Sequence, residues 1–184
     1  MGRIIVTEFV SLDGVYEDPH EWHFPFFQEQ AQQYKMNELR ATDALLLGRV
    51  TYDGFAQAWP ERSGDEFSDR FNSMTKYVVS TTLQNPTWTN THVIGANGDL
   101  AAELDTIKGR HEQDIFIHGS GTLANSLLRQ GQIDEVRLMV HPVVVGKGRR
   151  FFEDETSIPA LELADVTTWD GGIALMTYRP AGEA

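Results

Sequence analysis

From residue 3 to residue 145, short β-rich runs alternate with helix-like runs, and glycine stands at several of the joints. That rhythm selects an α/β fold, because elements alternating in this way lay helices against a mostly parallel sheet. Arg3–Val10 reads as a buried strand, and residues 11–22, with Gly14, Pro19 and several charges, as a loop. A helix is expected over Phe26–Ala41: Phe27, Ala31 and Tyr34 share one stripe, which Leu39 fits poorly. Ala44–Leu47 is a short strand, followed by a helix from near Arg49 through Phe55. Lys76–Ser80 and His92–Ile94 are further strands, the second closed by the turn residues Gly95, Asn97 and Gly98. Leu100, Leu104 and Ile107 mark a helix ended by Gly109. Asp114–His118 is a strand, and Leu123, Ala124, Leu127 and Leu128 mark the helix after it, with Gly131 as the stop. Glu135–Val145 is a long β-rich run. The tail Leu161–Arg179 holds two strands hinged at Asp170-Gly171-Gly172, and Asp-Gly is a hairpin signal. The expectation is one domain over 1–184, with a mostly parallel sheet carrying an antiparallel edge.

Composition removes whole classes of function. The chain has no cysteine, which excludes disulfides, thiolate metal sites and cysteine nucleophiles. His20 and His23 are close together, but nothing has zinc-site spacing, so no metal is expected. The apolar N-terminal run is broken by Thr7 and Glu8, short of a signal-peptide core, and no segment approaches the ~18–20 apolar residues of a membrane span. A soluble, cytoplasmic protein is expected. The formal net charge of −12 repels nucleic acid and anionic membranes. A phosphate-bearing ligand would therefore need a local site rich in amides and positive charge.

Three segments have that character. In Leu46-Leu47-Gly48-Arg49-Val50-Thr51-Tyr52 a strand ends at glycine and a helix begins. Free N–H groups at a helix start suit an anion, and Arg49 adds a planar charged fork with the Thr51 hydroxyl beside it. A tight turn with a surface arginine is the plainer alternative. His118-Gly119-Ser120-Gly121-Thr122-Leu123-Ala124 repeats the strand–glycine–helix joint and satisfies G-x-G-x-x-A. It lies in the last third of the chain, and Asp134 and Glu135 come too soon to be the acid that follows this fingerprint in a Rossmann fold. The phosphate-binding physics applies without that fold. Ser80-Thr81-Thr82 sets three hydroxyls at a strand end, suited to a phosphate monoester or to an ordinary turn. His118 and His141 end strands, where a hydrogen-bonded structural role is the ordinary one.

Taken in order, these segments resemble the dihydrofolate reductase-like superfamily, in particular the branch of the riboflavin-biosynthesis reductase (RibD C-terminal) domain. The resemblance runs from Ser11-Leu12-Asp13-Gly14 through Trp22, Gly48-Arg49-x-Thr51-Tyr52, Ser80-Thr81 and Gly119 to Leu123. It closes with Asp134-Glu135, His141-Pro142-Val143-Val144-Val145-Gly146-Lys147-Gly148 and Arg150-Phe151-Phe152. It implies a three-layer fold, helices on both faces of a mixed sheet, and a homodimer, for which the chain offers Arg137–Val145 as an exposed edge. It implies NADPH as cofactor. Gly48, Arg49 and Thr51 would lie along its phosphates, Ser80 and Thr81 would hold the 2′-phosphate, and Gly119, Ser120, Gly121, Thr122 and Leu123 would cradle the pyrophosphate. Asp13, Trp22, Tyr52 and Phe55 would border the substrate. Asp13 is the first candidate for proton relay, with Glu29 and His118 behind it.

The implied reaction is hydride transfer to a small pterin- or pyrimidine-like heterocycle, such as 5-amino-6-(5-phosphoribosylamino)uracil. The alternative is a non-catalytic module of the same fold that binds NADPH, a flavin or a heterocycle. Three positions depart from the resemblance. Folate reductases carry a carboxylate where this chain has Phe27 or Gln28, with Glu29 nearest. Val15 replaces the usual basic residue after Ser-Leu-Asp-Gly, and His118 replaces the acid before the glycine pair.

Overall fold

The structure, a computed structural model, describes residues 1–96, 98–152 and 157–182. Its strands are β1 (Ile4–Ser11), β2 (Thr42–Gly48), β3 (Thr75–Val79), β4 (Thr91–Ile94), β5 (Asp114–Ile117), β6 (Glu135–His141), β7 (Leu161–Thr168) and β8 (Ala174–Pro180). They form one sheet in the order β4-β3-β2-β5-β1-β6-β8-β7. Neighbours from β4 through β6 are parallel, while β8 and β7 add antiparallel strands at one edge. Gly171 and Gly172, at φ 84° and 83°, turn the final hairpin in a backbone region open to glycine. The α/β class, the mixed sheet and the C-terminal hairpin are as the sequence led us to expect.

Among the described residues, five α-helices cover the sheet: α1 (Glu29–Arg40), α2 (Arg49–Ala58), α3 (Glu66–Ser73), α4 (Leu100–Arg110) and α5 (Gly121–Arg129). Strand β2 shows why both faces are covered. Its Ala44 and Leu46 join a core with Leu104, Ile107, Ala124 and Leu127 from α4 and α5. Its Leu45 and Leu47 join a second core with Leu39, Tyr52 and Phe71 from α1, α2 and α3. A parallel strand buried on both sides reads as an unbroken apolar run, which is what residues 44–47 are.

The differences from expectation have physical causes. Helix α3 was not anticipated. Asp65 caps it by accepting from the Ser68 N–H at 2.9 Å, and Phe67 and Phe71 pack its inner side. Helix α4 continues through Gly109 and stops at Arg110. Strand β6 ends at His141 and is no edge: it lies between β1 and β8, so Arg137–Val145 does not offer the exposed sheet edge expected for a dimer. The free edges are β4 and β7. Asn97 lies outside the described residues.

Helix α1 departs most. It opens at Glu29, after a short 3-10 turn at Phe24–Phe26, and its buried residues are Ala31, Lys35, Glu38 and Leu39. Two of these four are charged, so a purely apolar stripe does not describe its inner face. The charges are tolerated because they are paired. Glu38 accepts from Thr7 Oγ1 (3.1 Å), Tyr34 Oη (3.1 Å), Arg137 Nη1 (3.0 Å) and Lys35 Nζ, while Lys35 also donates to Thr7 Oγ1 at 2.9 Å. Arg137 bonds Glu135 Oε1 at 2.8 Å, and Glu135 Oε2 takes Arg179 at 3.1 Å. The chain of charges ties β1, α1, β6 and β8 together across one face of the sheet.

Burial alone would raise the Glu38 carboxyl, but the Lys35 ammonium and its hydrogen bond, with Arg137, outweigh it and hold the group at about 2. A carboxylate depressed in the folded state stabilises above its unfolded value, and that stabilisation is lost as pH falls from about 4.5 toward 2. Substituting Glu38→Gln leaves Lys35 and Arg137 without their shared counter-ion. Urea unfolding at pH 7 should show a loss on the order of 3 kcal/mol, with the gap to the wild type shrinking below pH ~4.5. An unchanged midpoint at pH 7 would mean that the network adds nothing to stability.

Candidate active site at the strand ends

Strands β1 to β6 are parallel, so their C-terminal ends share one edge of the sheet, where ligands bind in open α/β folds. Two of the sequence-predicted segments meet there directly. The Gly48 N–H donates to Ser120 Oγ at 3.0 Å, across 72 positions of sequence. Thr51 Oγ1 donates to the Gly119 carbonyl at 2.8 Å. Gly119 stands at φ 65°, and a Cβ there would sit 3.4 Å from Thr51 Cγ2 and 3.7 Å from Phe55 Cζ. The starts of α2 and α5 are thus bound side by side.

Those two starts are uncapped. Helices α3 and α4 open on Asp65 and Asp99, whose carboxylates accept from Ser68 N and Ala102 N. Helices α2 and α5 open on Gly48 and Ser120 with no side-chain cap, as α1 does on Gln28. The first-turn N–H groups of α2 and α5 therefore face the strand-end edge without an acidic cap of their own. Arg49 stands at the first position of α2, its Nε held by Asp53 at 2.8 Å. This donor set suits an anion with two phosphates.

The other predicted residues are dispersed. The hydroxyl of Ser80 accepts from Thr82 N (3.2 Å) and Leu83 N (3.1 Å), which commits it to its own turn, while Thr81 stays exposed at the end of β3. Tyr52 is buried, and its hydroxyl accepts from Thr87 N (2.9 Å) and Trp88 N (3.2 Å). Phe55 packs edge-on against Phe71 and Trp88 and presents its Cζ to Gly119. Trp22 is buried against the His141 ring, with its indole N–H donating to the Glu17 carbonyl at 3.1 Å.

The three acid–base candidates lie in three environments. Asp13 accepts from Ser11 Oγ (2.6 Å), Val145 N (3.0 Å) and Gly146 N (2.8 Å). Those bonds hold it ionised at about 2 and pin the loop after β1 to the loop after β6. Glu29 is exposed, in an open groove of about 670 Å³ that runs between α1 and the β6-β8-β7 face, beside Tyr34, Arg137 and Trp169. His118 directly follows β5 with its ring against Phe116 and Phe71, and desolvation, aided by the Lys35 charge, lowers it to about 3. It is neutral at physiological pH.

Two further groups, outside the sequence-predicted site, lie in the same part of the molecule. Glu8 lies in the middle of β1, 5% exposed, and desolvation raises its carboxyl to about 8 although the N–H groups of Gly119 and Ser120 and the Lys35 charge favour ionisation. The signal was legible: one acid inside a strand that is buried from Ile4 to Ser11 except at half-buried Phe9. Tyr16 is the second. A Cβ on Gly121 would fall 2.5 Å from its ring carbon Cζ and 2.7 Å from its hydroxyl. The second glycine of the pair is therefore required by Tyr16, and only Gly119 needs its positive φ.

Comparisons with known proteins agree with this architecture. The family model of the RibD C-terminal domain matches residues 3–175. The chain is 28% identical over 184 residues to the uncharacterized protein YyaP of Bacillus subtilis (strain 168), covering 96% of this chain and 94% of that one. A structure from Shewanella sp. PV-4, whose name links it to riboflavin biosynthesis, aligns at TM-score 0.78 and 19% identity, over 98% of this chain and 99% of that one. Dihydrofolate reductase from Enterococcus faecalis, complexed with NADP(H), aligns at TM-score 0.63 and 15% identity, over 97% and 96%. At these identities the solved structures establish the dihydrofolate reductase-like fold.

The Tyr16–Gly121 contact yields a stability prediction. Gly121→Ala should cost ~1–3 kcal/mol in urea unfolding, because a methyl group there overlaps the Tyr16 ring. Gly54→Ala, in α2 with nothing within 4 Å, should instead stabilise by about 0.5–1 kcal/mol through helix propensity. Equal effects at the two positions would remove the steric explanation.

Proposed function

We propose, from the premise that the chain belongs to the RibD C-terminal domain family, that it is an NADPH-dependent reductase of a small pyrimidine- or pterin-like heterocycle. The observation that carries this is the joining of two uncapped helix starts, α2 and α5, through Gly48–Ser120 and Thr51–Gly119. An array of amides with Arg49 at its side fits the pyrophosphate of a dinucleotide. When bound, NADPH supplies the hydride.

The chain's own residues do the rest. Gly119, Ser120, Gly121, Thr122 and Leu123, with Gly48, Arg49 and Thr51, bind and orient the phosphates. Thr81, at the exposed end of β3, meets the 2′-phosphate, and Ser80 holds the turn that presents it. Trp22 and Phe55 exclude water from the reacting end, while Tyr52 supports α2 from within the core. His118 borders the same end as a neutral imidazole able to orient a substrate amide or carbonyl. Asp13 serves as the clamp between two loops and is not the proton relay, since its carboxylate is fully engaged and held ionised. Glu29, out in the groove, takes no part in the chemistry. The commitment of Asp13 also favours a second reading, a heterocycle-binding module without turnover. In that case the protein would bind NADPH and leave it unoxidised against a panel of pyrimidines and pterins.

Parallel titration of NADPH and NADH, followed by tryptophan fluorescence and calorimetry, tests the cofactor. We expect at least about tenfold preference for NADPH, a difference of ~1.4 kcal/mol, and weakening of both by Arg49→Ala. Binding of neither nucleotide would overturn the proposal. We also propose a homodimer through the β7 edge, where Leu163 and Val166 are 54% and 47% exposed. Light scattering at micromolar concentration should give the mass of two chains, and a monomer would refute it.

A further inference from the structure

A box of aromatic side chains encloses two buried histidines at the C-terminal end of β6. His23 stands between the 3-10 turns Pro19–Glu21 and Phe24–Phe26. Its ring, 7% exposed, meets Phe24, Phe9 and Phe27 at centroid distances of 4.1, 4.9 and 5.1 Å. His141, the last residue of β6, is fully buried and meets Trp22 and Phe9 at 5.3 Å each. The two imidazoles lie 5.9 Å apart and nearly perpendicular.

The hydrogen bonds of this box fit neutral rings. The Met139 carbonyl can only accept, so His141 Nδ1 carries the proton that joins them at 2.9 Å, and Nε2 is left as a bare acceptor. Neither His141 Nε2 nor His23 Nδ1 has a hydrogen-bond partner among the described residues. Both nitrogens of an imidazolium are donors, so protonating either ring buries an N–H with nothing to receive it. No carboxylate offsets the charge: among the described residues the one histidine ion pair joins His111 to Asp43. The charged groups nearby are committed elsewhere or exposed. From α1, Lys35 stands over the Phe9 ring at 5.5 Å with its ammonium tied to Glu38 and Thr7. After β1, Asp13 is held by Ser11, Val145 and Gly146, and Glu17 pairs with Arg149. Asp18, His20 and Glu21 are exposed on the loop itself.

We propose that His23 and His141 form a latch: while both rings are neutral they hold the loop of residues 19–27 against β1 and β6, and a proton on His23 releases it. His23 is the trigger because it rides on the loop, whereas His141 is fixed in the sheet. The latch goes beyond the reductase reading and stands without it. Only its consequence, the opening of the reacting end to water as Trp22 leaves, rests on that reading.

Burial, with the His141 and His20 charges adding to it, lowers His23 to about 4. A histidine lowered in the closed state favours closure fully above its ordinary value of 6.5 and loses that advantage as pH falls toward 4. The closed-to-open ratio should therefore drop by up to about tenfold per pH unit across that window.

Amide hydrogen exchange of the full chain, without ligand and corrected for intrinsic exchange rates, measures that ratio. The amides of Trp22, His23, Phe26 and Phe27 all donate within the loop and report on it. Their protection should fall at least about tenfold between pH 6.5 and pH 4.5, while that of β2 holds. His23→Phe keeps an aromatic ring that takes no proton and should make the loop's protection independent of pH. If that variant does not fold, the ring signals of His23 in wild-type NMR spectra decide: the ring should titrate below 6.5, in step with the loss of protection. Loop protection that is constant with pH, that falls only together with β2, or that falls equally in His23→Phe overturns the latch, as does a His23 ring that titrates at its ordinary value. None of these outcomes bears on NADPH binding, which the nucleotide titration tests separately.

Discussion

Strand β1 runs parallel to both of its neighbours, β5 and β6, and the rest of the molecule is arranged around that constraint. Parallel neighbours must be joined by crossovers, so helices are forced onto the faces, and the strand ends that lead into the helices collect along one edge. The glycine joints at Gly48 and Gly119 are then neighbours in space, although helices α2 to α4 and strands β3 to β5 lie between them in sequence. Their hydrogen bonds, Gly48 N–H to Ser120 and Thr51 to the Gly119 carbonyl, convert two ordinary βα turns into one surface of amides.

The same strand carries the polar features of the interior. Toward α1 it presents Thr7, which joins Lys35, Glu38 and Arg137 in a satisfied network. In the opposite direction it presents Glu8, a buried acid whose Oε1 has no hydrogen-bond partner among the described residues. One acid, on α1, is held far below its ordinary value, and the other, on β1, well above it. The difference is set by what each meets: two cations and two hydroxyls for Glu38, and desolvation without an ion pair among the described residues for Glu8. A depressed carboxylate is one whose ionised form is paired, and a raised one is one whose ionised form is held back by desolvation.

Loops outside the sheet are fixed by similar means. Asp13 reaches across to Val145 and Gly146, Arg149 pairs with Glu17, and Val15 bridges to Arg150, so the loop after β1 and the loop after β6 form one cover. Tyr16 is carried on that cover and rests on Gly121. This explains why Asp13, which by its place in a Ser-Leu-Asp-Gly segment invited a chemical role, is better suited to holding the cover in place.

The sequence by itself determined the class of fold, the order of elements, the final hairpin and the two glycine joints. These follow from local signals: apolar runs, turn residues, and glycine at strand ends. Helix α3 has a weaker local signal, Asp65 followed by Phe67 and Phe71, because its apolar stripe spans little more than one turn. Tertiary structure alone decided which residues meet. That β6 is interior, that Lys35 and Glu38 point inward, and that Tyr52 spends its hydroxyl on Thr87 and Trp88 all depend on the rest of the fold. A charge pattern along a chain does not reveal whether a buried partner exists. The cost of burying an ion is decided by that partner, and the fold alone provides it.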